Sequence, residues 1–216
     1  MNVDWVKSSE PLLGKYWKRK HPLDYANRYQ LVVMVILSAQ TNDNLINKVA
    51  KEFFIRFPSM HDLATASIEQ IMEPLKTVRN FRHKATWLSL IAQKLGDEKN
   101  MPTTLEEITK LPGIGRKSAN VIMRESGNKP EGIMVDLHVI RVANRLGISE
   151  GDTSDKVERP LMAIYPRELW GEIGMAMSYL GREICRPKPN CPECMMKNVC
   201  QYYNTVVKPA LINTAG

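Results

Sequence analysis

Apolar residues recur at three- and four-residue spacing through most of this chain, and no segment sustains the alternation of a half-buried strand. The spacing predicts an all-α fold. Tyr29 to Ser38 is apolar nearly all round, which places a helix at the centre of a helical domain. It runs out in Leu37-Ser38-Ala39-Gln40-Thr41-Asn42-Asp43, where Asp43 can cap the next helix, Leu45 to Arg56. Shorter amphipathic helices are predicted over Ser9 to Arg19, His61 to Ala66, Ser67 to Leu75 and Arg82 to Leu95, with Pro22 and Pro58 marking breaks. The polar link Glu125 to Gly132 separates these from three more helices, Asp136 to Leu146, Asp155 to Ile164 and Leu169 to Glu183. Connections are short, there is no internal repeat, and the chain after Thr205 has the composition of a mobile tail.

One stretch breaks the helical pattern in a way that carries chemistry. Thr104 to Leu111 reads as a short helix, with Thr104 as N-cap and Glu107 reaching back in a capping box. Pro112 ends it, because proline disfavours helical geometry in the residue before it. Gly113 and Gly115 permit positive φ, so the chain can reverse at once before a second helix resumes over Ser118 to Arg124. Backbone amides of such a hairpin, backed by a helix N-terminus, can hold a phosphate. That contact reads no base, so it grips a nucleic-acid backbone without sequence preference. Lys117 lies at the start of the second helix, where the helix dipole and Arg116 favour the free amine that a nucleophilic lysine needs. Asp136 follows nineteen positions later in Val135-Asp136-Leu137-His138-Val139, one carboxylate among apolar neighbours. A plain turn with a surface lysine is the alternative reading of the hairpin alone.

Cys185, Cys191, Cys194 and Cys200 are the only cysteines, separated by five, two and five residues. Four thiolates so close together suit either a tetrahedral zinc ion or a cubane iron–sulfur cluster. Zinc sites usually draw on two close pairs, and here only Cys191 and Cys194 form one. A secreted disulfide framework would spread its cysteines along the chain.

Composition narrows the setting. With 216 residues and 44% hydrophobic content, the chain can build one large core or two small ones. A net charge of +7 favours an anionic partner. The N-terminus lacks the basic-then-apolar pattern of a signal peptide, and the longest apolar run, Leu31 to Leu37, is far too short for a membrane span. The expectation is a cytoplasmic monomer, associated with the nucleoid if the source is bacterial.

Taken together, the hairpin, the lysine after it, the aspartate element and the cysteine spacing resemble the endonuclease III family of helix-hairpin-helix DNA glycosylases, over roughly residues 25–203. Lys117 and Asp136 fall on that family's catalytic positions. The family's C-terminal loop has single outer cysteines flanking a central pair and holds a 4Fe–4S cluster, so the resemblance implies that Cys185, Cys191, Cys194 and Cys200 are its ligands. The first interval is one residue shorter than the family's common six. The resemblance also implies DNA contacts from Gln40 and Asp43, from Arg79, Asn80, Phe81 and Lys84, from Gly113, Ile114, Gly115 and Arg116, from His138, and from Arg186 and Lys188 on the cysteine loop. At Arg79-Asn80 the chain departs from the family's usual glycine and apolar wedge.

The resulting expectation is a two-lobed, all-α glycosylase fold. A six-helix barrel spans 22–130, an iron–sulfur lobe combines 1–21 with 131–205, and 206–216 form a flexible tail. The implied activity is removal of oxidised or ring-saturated pyrimidines from double-stranded DNA and nicking at the resulting abasic site. Three alternatives stay open: a monofunctional or mismatch-directed relative, a non-catalytic DNA-binding module and an iron–sulfur electron carrier. Lys117 argues against the first, the joint presence of Lys117 and Asp136 against the second, and confinement of the cysteines to one short segment against the third.

Overall fold

The structure, a computed structural model, describes residues 3–213. Its helices, in chain order, are α1 (Trp5–Ser8), α2 (Glu10–Tyr16), α3 (Arg28–Ser38), α4 (Asp43–Arg56), α5 (Met60–Thr65), α6 (Ile68–Met72), α7 (Phe81–Leu95), α8 (Leu105–Thr109), α9 (Arg116–Glu125), α10 (Leu137–Leu146), α11 (Ser154–Ile164), α12 (Trp170–Glu183) and α13 (Lys208–Asn213). No strand occurs among the described residues, and no helix there is long and apolar enough to cross a membrane. The chain forms two compact units, Lys20–Asn128 and Met1–Arg19 with Lys129–Gly216.

In the unit Lys20–Asn128, α3 is the centre, with every residue from Leu31 to Leu37 buried. Burial on all sides follows from its neighbours: α4, α7 and α9 all pack on it. Each such Leu, Ile, Val or Met side chain removed from water contributes about 1.5–3 kcal/mol. The short helices α5 and α6 lie on α7, and each starts with a capping box, from Ser59 with Asp62 and from Ser67 with Gln70. The box expected at Thr104 differs in detail. Thr104 Oγ1 accepts from the Glu107 amide at 3.3 Å and donates to the Glu107 carboxylate at 2.9 Å, so the carboxylate meets the hydroxyl. The cap of α4 is Asn42, whose side chain accepts from the Asn44 amide at 2.8 Å, while Asp43 is the first helical residue. Both side chains suit either position by chemistry, and only the backbone turn decides between them.

The second unit is built on α12, against which α2 and α10 pack. Two glycines make the approach close. A Cβ at Gly181 would lie 2.8 Å from His138 Cβ, and one at Gly174 would lie 2.5 Å from the Met134 carbonyl oxygen. Tyr16 of α2 stacks on Tyr179 of α12 with ring centroids 5.6 Å apart. The helix expected over Ser9 to Arg19 is shorter, ending at Tyr16; Lys18 then turns through φ 51° and its amide donates to Glu172 at 2.9 Å. The segment expected to be a flexible tail is helical, a π-helical turn over Tyr203–Val207 leading into α13. Positions 214–216 of that tail lie outside the described residues.

Candidate functional site

Within the unit Lys20–Asn128, the hairpin between α8 and α9 is anchored by the buried side chains of Leu111 and Ile114. The Ile114 amide donates to the Leu111 carbonyl at 3.2 Å, closing the turn. Gly113 takes φ 77°, and a Cβ there would overlap the indole of Trp87. Gly115, which also permits positive φ, does not use it: it has φ −87° and ψ 174°, ordinary extended backbone, as the N-cap of α9. It brings no side chain to cap the helix, and the first turn carries no acidic residue. The leading amides of α9 therefore have no capping carboxylate, and the positive end of the helix dipole faces outward with exposed Arg116 and Lys117 upon it. Lys117 sits on the first turn as expected, and its ammonium makes no hydrogen bond or ion pair among the described residues.

Helix α7 ties this hairpin to two other expected DNA contacts. Arg79 and Asn80 stand exposed just before it. Asn80 occupies the left-handed region at φ 58° and ψ 30° and makes no capping bond. Asparagine tolerates that region better than other side-chain-bearing residues, which supplies a backbone reason for its presence. Phe81 opens the helix, half-buried, with the Arg82 guanidinium 5.8 Å from its ring centroid.

Lys84 corrects the sequence reading. Expected at the DNA surface, it is 2% exposed. Its Nζ donates to the Leu37 carbonyl at 2.8 Å, the Ala39 carbonyl at 2.7 Å and Thr41 Oγ1 at 3.2 Å. All three donors are used inside the protein, so none is available for a phosphate. Burial, with Arg79 adding to it, pulls its pKa down to about 8. The oxygens it binds flank exposed Gln40, which turns through φ 57°. Asp43 follows, half-exposed, on the first turn of α4.

In the other unit, Asp136 is the N-cap of α10. Its Oδ1 accepts from the amides of His138 and Val139, both at 2.9 Å, and its Oδ2 accepts from Ser178 Oγ at 2.7 Å. Arg182 Nη2 lies 3.9 Å from Oδ2. These partners fix the carboxylate's orientation and use both acceptor sites of Oδ1, leaving one on Oδ2. Leu137 beside it is 79% exposed, and the buried stripe of α10 begins only at Val139. The His138 ring meets Arg141, Nδ1 to Nη2 at 3.1 Å.

The four cysteines are free of disulfides and line one cavity together with Leu146 and Leu180. Two arginines of α10, one turn apart, hold their loop. Arg141 donates to the carbonyls of Cys185 and Gly181, both at 2.8 Å. Arg145 donates to the Arg186 and Pro187 carbonyls at 2.6 and 3.0 Å and lies 3.4 Å from Cys185 Sγ. Sequence reasoning missed both arginines, as it missed Ser178 and Arg182; their four-residue spacing on α10 was visible, but not the loop they bind. Burial pushes the Cys194 thiol up to about 11 and raises Cys191 and Cys200 as well. Protonated thiols are poor ligands, so a cationic group must displace the protons on binding. Among the described residues no three His, Cys, Asp or Glu side chains converge on a position for one metal ion. On the loop's rim, Arg186 and Lys188 are both exposed, Arg186 donating to the Arg182 carbonyl at 2.9 Å.

Comparison with known proteins bears on these features together. The family described as HhH-GPD superfamily base excision DNA repair protein matches residues 33–167. A protein of Thermotoga maritima, endonuclease III, is 35% identical over 178 residues, covering 81% of this chain and 83% of its own. A solved structure of a trapped endonuclease III–DNA covalent intermediate is similar with a TM-score of 0.83 and 32% identity, covering 94% of this chain and 98% of that one. A non-covalent endonuclease III–DNA complex gives a TM-score of 0.84 at 31% identity, covering 96% and 100%.

Proposed function

The chain belongs to the endonuclease III family and is a base excision repair DNA glycosylase and AP lyase, and from that premise we propose the roles of its residues and its substrates. The substrates are duplex DNA carrying oxidised or ring-saturated pyrimidines, and abasic sites. The damaged nucleotide leaves the stack to expose its glycosidic carbon. The Lys117 amine attacks that carbon; the new C–N bond forms as the bond to the base breaks, and the base leaves with a proton. Asp136 receives the amine proton and stabilises the positive charge that builds on the sugar. The proton taken up by Asp136 passes to the sugar ring oxygen as its bond to the anomeric carbon breaks, which opens the ring and leaves the protonated Schiff base. This acidifies the neighbouring sugar carbon, so loss of its proton expels the 3′ phosphate oxygen and nicks the strand. The observation that carries this reading is Lys117, exposed and without a hydrogen bond or ion pair among the described residues, on a helix start with no side-chain cap directly after the hairpin.

The remaining surface serves binding. The hairpin amides and Arg116 take a phosphate, while Gln40, Asp43, Arg79, Asn80 and Phe81 face the strands around the lesion. In the other unit His138, Arg186 and Lys188 add contacts. Cys185, Cys191, Cys194 and Cys200 would hold a 4Fe–4S cluster, which when bound crosslinks the loop that Arg141 and Arg145 position.

Three measurements test this reading. Borohydride should trap the protein covalently on damaged duplex, and Lys117→Gln should abolish the adduct while DNA affinity stays within about threefold. An adduct formed by the variant would assign the nucleophile elsewhere. Asp136→Asn keeps an oxygen for the two amides it caps, so melting temperature should hold while excision falls on the order of 10²–10⁴-fold. Parallel loss of both would make Asp136 a structural cap only. Protein purified without oxygen should be brown and carry about four irons per chain; one zinc and no colour would reject the cluster.

A further inference from the structure

Residues 38–41 form a tight turn, with the Thr41 amide donating to the Ser38 carbonyl at 3.0 Å. Ala39 has φ −56° and ψ 116°, and Gln40 follows with φ 57°. These are the marks of a type II turn, whose third residue is normally glycine or asparagine because a Cβ is strained there. The chain puts a glutamine at that position and exposes it. Something must hold the strained conformation in place.

The turn's own hydrogen bonds are few, and it follows the C-terminus of α3, where carbonyls lack helical partners. Lys84 reaches this site from α7, forty-four positions away in the sequence, and binds the oxygens on both sides of Gln40: Leu37 and Ala39 before it, Thr41 after it. A buried cation carries a desolvation cost, and this one is offset only by these oxygens and the cationic complement of a helix C-terminus. Three turns of helix fix the lysine's backbone, and Trp87 one turn on packs against Gly113 of the hairpin. One rigid element therefore fastens both turns.

We propose that Lys84 is a positioning residue: it touches no DNA and holds Gln40 in its strained geometry so that the glutamine meets the nucleic acid. The inference rests on the reading of Gln40 as a DNA contact.

The test measures affinity for duplex containing a non-cleavable tetrahydrofuran abasic site, with Gln40→Ala, Lys84→Met and the double variant, alongside hydrogen exchange of the full-length protein. Gln40→Ala should weaken binding about tenfold, the size of one well-placed hydrogen bond. Lys84→Met should weaken it by a similar factor and speed exchange in residues 37–42, while the hairpin and α9 stay protected. The double variant should bind no worse than either single one, because the lysine acts through the glutamine. If Lys84→Met does not fold, Lys84→Gln, which keeps two donors, takes its place. Normal binding by Gln40→Ala would overturn the reading of Gln40 and the inference with it. Weak binding by Gln40→Ala combined with normal binding by the Lys84 variant, with multiplied losses in the double variant, or with unchanged exchange at 37–42 would overturn the inference alone.

Discussion

The two turns of the unit Lys20–Asn128 solve the same steric problem with opposite residues. At the hairpin, φ 77° falls on Gly113, and the Trp87 indole fills the space a side chain would need. At the end of α3, φ 57° falls on Gln40, whose side chain projects into solvent. The first turn obeys its local preference, and Trp87 only packs against it. The second violates it and is held by Lys84 across the fold. A residue that a turn would not choose, kept where it is exposed, points to a use for its side chain. Gly113 is explained by packing, whereas Gln40 is accounted for by the proposed DNA contact.

The largest effect that could break this comparison lies at the hairpin. Gly113→Ala places a Cβ at positive φ and against the Trp87 ring, and should cost about 2–4 kcal/mol from left-handed strain and overpacking together. A melting temperature within a degree of the parent protein would show that the hairpin, too, tolerates a side chain.

A smaller effect of opposite character is expected at the other turn. Gln40→Gly relieves about 1–2 kcal/mol of left-handed strain. It adds about 0.4–1 kcal/mol of unfolded-state entropy. Stability should hold or rise slightly while affinity for damaged duplex falls. A drop of several degrees in melting temperature with unchanged affinity would make Gln40 a structural residue, and the contrast with Gly113 would disappear.

The two lysines of this surface repeat the lesson. Lys117 and Lys84 are both basic residues near helix starts beside expected DNA contacts, and the sequence reading placed both at the nucleic acid. Lys117 is exposed with no hydrogen-bond or ion-pair partner among the described residues; Lys84 is buried with three. A signal for this was present. Lys84 falls in register with Leu88, Ile91 and Leu95 on the buried stripe of α7, but a lysine on that stripe is more readily read as a side chain reaching back to solvent.

What the sequence by itself determined is local. The 3.6-residue period located the helices from α2 to α12 to within a few positions, because each helix must turn one apolar face inward. Pro112 and Gly113 located the hairpin, because few residues permit that reversal. The cysteine spacing located the loop, and the Val-Asp-x-His element the carboxylate at Asp136. What only the tertiary structure decided is who meets whom. Asn42, not Asp43, caps α4; Gly113, not Gly115, carries the positive φ; Arg141 and Arg145 hold the cysteine loop; and Ser178 orients Asp136. Each of these depends on a backbone angle or on a partner tens of residues away. Sequence spacing encodes period and turn, but a hydrogen bond between distant segments is set by the packing that brings them together.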